Sequence, residues 1–422
     1  MSLDADPTGR AAQLLHGALV KEGQGDAAAA MADARQACQL FEQGGDRTGC
    51  AAALQLQAIL HANHGHLGPA LEALDAAVPH REQTGDQEGL ASLHQERFAL
   101  AIRLGDSALA QQASEAMLAA HERVGDREGQ AQGIHQLVQF LIQAGELDTA
   151  DTLLGRGLWL TDRAGEERAR SALVLLQVQA DLARGMNDRA LARCGDAIRL
   201  AEQARNRPAL IEAWHQQGAA YAITGSPSQA IEAFEQALDG RELLKDLEGR
   251  AATLTELARV EQALGRPAKA AERLAYAART LGELGLHEAQ ASALGDAAEQ
   301  AVVAGDLDRA IALGTALANT CGTAGALHAQ GQALFLNGQR RVQAGDLAGA
   351  AEDFRAASAA LDRAQDPEGR GIVLGMLGQV EHALGRIEAA LATLTEAERV
   401  LRAVGSDALA ELAPILAELR PS

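Results

Sequence analysis

Three histidines, His61, His64 and His66, fall in one short stretch, at a spacing that lets imidazoles share a metal ion. No cysteine or carboxylate stands beside them, so the reading is a solvated turn and no metal is expected. The run GRGIVLGMLG, residues 369 to 378, has the glycines of a dinucleotide loop. No strand precedes it, and its glycines fall on packing positions of a helix instead. Cys38, Cys50, Cys194 and Cys321 show no paired spacing and read as buried free thiols of a reducing compartment. A nucleophile elbow, a phosphate loop and HExxH are all missing from the sequence. The expectation is a non-enzymatic protein without cofactor. An enzyme whose site gathers residues distant in sequence is the remaining alternative.

Charge offers more. Counted at intervals of 40, Gln300 and Arg340 replace the apolar Val20, Leu60, Leu100, Phe140 and Val260. With Asp296, Glu299, Arg341 and Phe335 they form either a ligand-reading patch or an internal ion-pair network, since unpaired burial is costly. Glu42, Glu82, Glu122, Asp162, Glu202 and Glu242 repeat near helix ends, where negative charge opposes the macrodipole. Arginines of neighbouring repeats, or a basic partner, would compensate. Trp159 stands where Gln39, Pro79, Ala119, Arg199, Asp239 and Arg279 recur, and reads as a contact site or as a side chain tucked on its own repeat. The net charge of −20 disfavours nucleic acid and anionic membrane and favours a basic partner. An acidic N-terminus, MSLDADPTGR, and the lack of a long apolar run predict a cytoplasmic protein.

These residues are positioned by a repeat. Gly25, Gly65, Gly105, Gly145, Gly185, Gly225, Gly265, Gly305, Gly345 and Gly385 recur every 40 residues, each followed five positions later by alanine. Such a period marks a solenoid whose units must stack to bury their apolar faces. Alanine and leucine supply most of a 47% hydrophobic fraction with only 2% aromatics, which predicts an all-α chain. In residues 86 to 125, Leu90, Leu93, Phe98 and Ala101 recur at helical spacing up to Gly105, and a second helical pattern follows. Gly105 and Gly125 stop the helices, and Asp106 and Asp126 start the next ones. Prolines 7, 208, 227, 267 and 367 fall in first turns. Pro79 lies inside a second helix and is expected to kink it or end it early. The stretch 319–325, NTCGTAG, is expected to be a flexible joint.

Large residues at Leu54, Ile134, Val174, Trp214, Leu254, Leu294, Leu334 and Leu374, followed by small ones such as Ala58, Gly218, Ala258, Gly338 and Gly378, resemble tetratricopeptide repeats in a long, 40-residue form. In second helices Leu74, Leu154, Phe234, Leu274, Phe354 and Leu394 precede Ala77, Gly157, Ala237, Ala277, Ala357 and Ala397. VGDREGQAQ, residues 124 to 132, is similar to stretches of Pins-type adaptors, rapsyn and bacterial MalT-like arrays. The resemblance implies a right-handed α-solenoid of ten helical hairpins over 1–405 in one continuous domain, with a capping helix over 406–422. It also implies that first helices line a groove. One column reads Gln55, Gln95, His135, Leu175, His215, Thr255, Gly295, Phe335 and Gly375; a second reads Ala99, Gln139, Gln179, Ala219, Arg259, Glu299, Gln339 and Gln379. Amide side chains carry donors and acceptors, so such a groove suits a peptide backbone. The expected groove residues are His135, Gln139, Gln179, His215, Arg259, Glu299, Phe335, Gln339 and Gln379, with Trp159, Arg340 and Arg341 as secondary contacts. The expected function is a scaffold for a protein or peptide partner; the alternative is a ligand-sensing module of a bacterial regulatory system.

Overall fold

At several junctions, among them Gly45-Asp46, Gly85-Asp86, Gly105-Asp106, Gly125-Asp126 and Gly345-Asp346, a Gly-Asp pair closes one helix and opens the next. At Gly105 the backbone turns left-handed, with φ +71°, and the carboxylate of Asp106 then accepts the Leu109 amide at 3.0 Å. The computed structural model describes residues 7–419, and these contain helices and turns with no strand. Two compact units are present, Met1–Ala213 and Trp214–Ser422.

The first unit holds α1 (Pro7–Gly23), α2 (Ala27–Gly44), α3 (Arg47–Asn63), α4 (Leu67–Thr84), α5 (Gln87–Leu104), α6 (Ser107–Val124), α7 (Arg127–Ala144), α8 (Leu147–Ala164), α9 (Glu167–Ala183) and α10 (Asn187–Gln203). Helix α11 (Arg207–Ile223) gives its first half to this unit, where Ala209 and Ala213 pack with Val174 and Leu175. In the second unit its later residues Ala219 and Tyr221 pack against Phe234. That unit continues through α12 (Pro227–Leu244), α13 (Leu247–Ala263), α14 (Pro267–Glu283), α15 (His287–Val303), α16 (Leu307–Thr323), α17 (Leu327–Gln343), α18 (Leu347–Arg363), α19 (Pro367–Ala383), α20 (Ile387–Val404) and α21 (Leu409–Leu419). From α1 to α10 and from α12 to α21 each helix packs on the next, α11 shares apolar clusters with α10 and α12, and first helices also touch, as α1 touches α3 and α7 touches α9. The fold is an all-α solenoid of helical hairpins.

Packing follows the large and small columns. A Cβ on Gly218 would sit 2.7 Å from the Phe234 ring, one on Gly338 2.6 Å from Phe354, and one on Gly378 2.5 Å from Leu394. The first helix thus opens a socket for one large side chain of its partner, and both phenylalanines are fully buried there. Cys38, Cys50, Cys194 and Cys321 are buried and free, as expected. Burial pushes the Cys38 thiol up to about 11 and Cys194 up to about 12.

Of the two outcomes expected at Pro79, the early end does not occur: helix α4 runs on to Thr84. Pro79 is exposed, so the carbonyl it leaves without an amide lies on the watered side, while Leu74 and Ala77 stay wholly buried before it. Residues 319–323 form the last turn of α16, and the left-handed turn falls at Gly325. The final helix buries Leu412 and Leu416 in the core beneath α20 and leaves Glu411 and Glu418 exposed. Arg420, expected to help cap it, lies outside the described residues.

Candidate binding cleft

Helices α5 and α7, neighbouring first helices, enclose a cleft of about 380 Å³ lined by Gln95, Phe98, Ala99, Ile102, Gln136, Gln139, Phe140 and Gln143. Helical periodicity places these residues: Gln95, Ala99 and Ile102 run down one stripe of α5, and Gln136, Gln139 and Gln143 down one stripe of α7. Phe98 and Phe140 meet edge to face at 6.1 Å and form the apolar floor. Gln95, Gln136, Gln139 and Gln143 have no hydrogen-bond partner among the described residues. Four amides therefore face one space with donors and acceptors unspent.

The two expected groove columns separate in the structure. The first is divided among several tasks, and two of its members join adjacent first helices. Gln55 donates to Ser92 Oγ at 3.1 Å and to Glu96 Oε1 at 2.6 Å, across from α3 to α5. His215 lies 5.3 Å from the Phe234 ring, and its Nδ1 is 3.2 Å from Thr253 Oγ1. His135 is half-buried, its Nδ1 is without a partner, and desolvation lowers its pKa. Phe335 packs on Phe354 at 5.8 Å. Only Gln95 of this column lines the cleft.

The second column stays outward. Gln139, Arg259, Glu299 and Gln379 are exposed, and Gln179 and Gln339 are half-buried. Gln139 lines the α5–α7 cleft; Arg259 is held by Glu256 at 2.5 Å. Trp159 is 56% exposed. The two arginines of α17 part company. Arg341 pairs with Asp353 at 2.8 Å and Asp346 at 2.6 Å, which commits it to the hairpin's own second helix. Desolvation lowers the pKa of half-buried Arg340, and the Glu299 carboxylate opposes that shift. Part of the acidic ladder is paired internally: Glu122 meets Arg156 at 3.1 Å, Asp162 meets Arg170 at 2.6 Å, and Glu242 accepts the Tyr276 hydroxyl at 2.9 Å.

Two features went unread in the sequence. Gln136 and Gln143 join the cleft, and their position one turn either side of Gln139 was the available signal. A column of internal pairs also recurs at a separation of 12 residues: Lys21 with Asp33, Asp181 with Arg193, Arg341 with Asp353, and Glu381 with Thr393. Complementary polar residues at that offset, counted in the repeat register, would have disclosed it. Among the described residues no group of three or more histidines, cysteines and carboxylates is placed to hold a metal, and no helix is long and apolar enough to cross a membrane.

Comparison with known proteins agrees with this architecture. The tetratricopeptide-repeat family model matches residues 211–239. The apo form of RapI superposes with a TM-score of 0.51 at 11% identity, over 84% of this chain and 98% of that one. A signal transduction ATPase with numerous domains from Pyrococcus horikoshii, which carries a tetratricopeptide repeat sensor, gives a TM-score of 0.51 at 11% identity over 81% of this chain. The chain spans 55% of that protein's length. No curated protein matches the sequence. The one repeat matched by sequence and the stacked hairpins together give this chain a tetratricopeptide-repeat-like fold.

Proposed function

We propose that the protein is a non-enzymatic adaptor that holds an extended peptide, or an extended segment of a partner protein, in the cleft between α5 and α7. One observation carries this reading: four glutamines with no internal partner converge on a single cleft with an aromatic floor. A peptide backbone presents alternating amides and carbonyls that such side chains pair with, whatever its sequence. Each bond contributes about 0.5 to 1.5 kcal/mol net, so the amides orient the backbone while apolar burial on the aromatic floor must add the rest of a modest, reversible affinity. The exposed or half-buried second column, Gln179, Arg259, Glu299, Gln339 and Gln379, extends the contact surface on each unit. A net charge of −20 favours a basic partner. Four buried free thiols suit the reducing cytoplasm.

The test compares wild type with a variant carrying alanine at Gln95, Gln136, Gln139 and Gln143 in quantitative pull-downs. Partners enriched by wild type are expected to be lost from the variant, while its thermal unfolding is unchanged. Retention of every partner would falsify the assignment of the cleft.

A further inference from the structure

The α5–α7 cleft is one half of a longer feature. A second hollow of about 330 Å³ is lined by residues that include Gln87, Glu88, Ser92, His121 and Asp126, and it shares Gln95 with the first. On α5 the lining residues advance by three or four, through Glu88, Ser92, Gln95, Ala99 and Ile102, so both hollows lie on one stripe. Glu88 to Ile102 spans about 21 Å of helix at 1.5 Å per residue. An extended peptide covers that length in about six residues.

The two ends differ in chemistry. At the Ile102 end the trough gains an apolar wall beside Gln143, with Phe98 and Phe140 beneath and Ile102 44% exposed. At the other end Glu88 is exposed and has no partner among the described residues. The nearby cations bond elsewhere than to Glu88: His121 Nδ1 lies 2.8 Å from Asp126, and Arg123 donates to the neutral Gln87 amide at 3.2 Å. A free carboxylate therefore marks one end and an open apolar seat the other.

We infer that the trough takes an extended peptide of about six residues in a fixed direction, with a basic group at Glu88 and an apolar side chain against Phe98, Ile102 and Phe140. This rests on the peptide-binding reading of the cleft and adds length, charge and direction to it. The matching pattern is a lysine, arginine or free amino terminus separated from one bulky apolar residue by about four or five positions, since each extended residue advances about 3.4 Å.

Displayed random heptapeptides, selected on the full chain and then synthesised for fluorescence anisotropy, test it. Enriched peptides are expected to carry that spacing. Glu88→Gln is expected to weaken them about tenfold, and to have no effect once the peptide's basic residue is replaced by norleucine. Ile102→Ser is expected to weaken them independently. Peptides that lose affinity with Gln139→Ala but ignore Glu88→Gln would overturn the direction and leave the cleft standing. Enrichment without the spacing overturns the inference as well. Peptides indifferent to all three substitutions, or no enrichment at all, would overturn both readings.

Discussion

Asp181 and Arg193, on the two helices of one hairpin, meet at 2.5 Å with the aspartate wholly buried. Arg189 approaches the same carboxylate at 3.1 Å. The pair occupies the register that Leu141 and Leu153 fill in the preceding hairpin, where both leucines belong to the apolar core. The same slot is thus closed by charge in one repeat and by hydrocarbon in the next.

That equivalence predicts an asymmetry. Asp181→Ala leaves the buried end of Arg193 without a partner and is expected to cost about 3 to 5 kcal/mol. Asp181→Leu combined with Arg193→Leu restores the neighbouring solution and is expected to be neutral or stabilising by about 1 to 4 kcal/mol. Urea unfolding of the two variants decides it; equal destabilisation would show that the slot tolerates only the ion pair.

His94 makes the first unit sensitive to acid. It is 8% exposed, and burial, reinforced by Arg97 and opposed by Asp75, lowers its pKa to about 4 from an ordinary 6.5. The folded state therefore prefers the neutral ring. No cost arises above pH 6.5; as pH falls from 6.5 toward 4 the unfolded state takes up the proton first, and the folded state loses about 1.4 kcal/mol per unit, about 3 kcal/mol in all. His94→Leu, the residue type at Leu54 and Leu254 in this register, is expected to flatten the melting temperature across that window. An unchanged pH profile in the variant would place the acid sensitivity elsewhere.

Arg205, Lys245 and Gln365 adopt left-handed φ values of 49°, 55° and 56° where other repeats carry glycine. A side chain there costs about 1 to 2 kcal/mol of backbone strain, offset in part by the greater freedom of unfolded glycine. Lys245→Gly is expected to raise stability by about 0.5 to 1 kcal/mol, read as an upward shift in melting temperature. A downward shift would mean that the lysine makes a compensating interaction.

Gly129 closes a clamp. The Asp126 carboxylate accepts the Gly129 amide at 2.9 Å with one oxygen and contacts His121 with the other, and a Cβ at 129 would collide with both side chains. Gly129→Ala is expected to cost about 1 to 3 kcal/mol through displaced side chains. Calorimetry that finds the variant as stable as wild type would show that the clamp yields freely.

Stability and binding should separate at the glutamines. Gln139→Ala and Gln143→Ala remove exposed, unpartnered amides and are expected to change stability by less than about 0.5 kcal/mol. Gln55→Ala instead strands Glu96, whose pKa burial already raises against that hydrogen bond, and is expected to destabilise by about 1 kcal/mol or more. Parallel thermal melts of the three variants check this, and a stable Gln55→Ala would erase the distinction between the two columns.

The repeat, the caps and the large-into-small packing were all written in the sequence. Each depends on residues within a hairpin: Gly105 permits one backbone conformation, Asp106 bonds an amide three residues on, and Gly218 leaves room for Phe234 sixteen residues later. Such relations are local and periodic, so spacing alone specifies them. That Pro79 does not end α4 depends on which side of the helix meets water, which spacing alone does not give. The division of glutamines into spent and unspent was likewise a matter for tertiary structure. Gln55 and Gln95 hold the same place in the repeat, yet only the packing of successive first helices sets one amide against Glu96 and leaves the other open to the cleft.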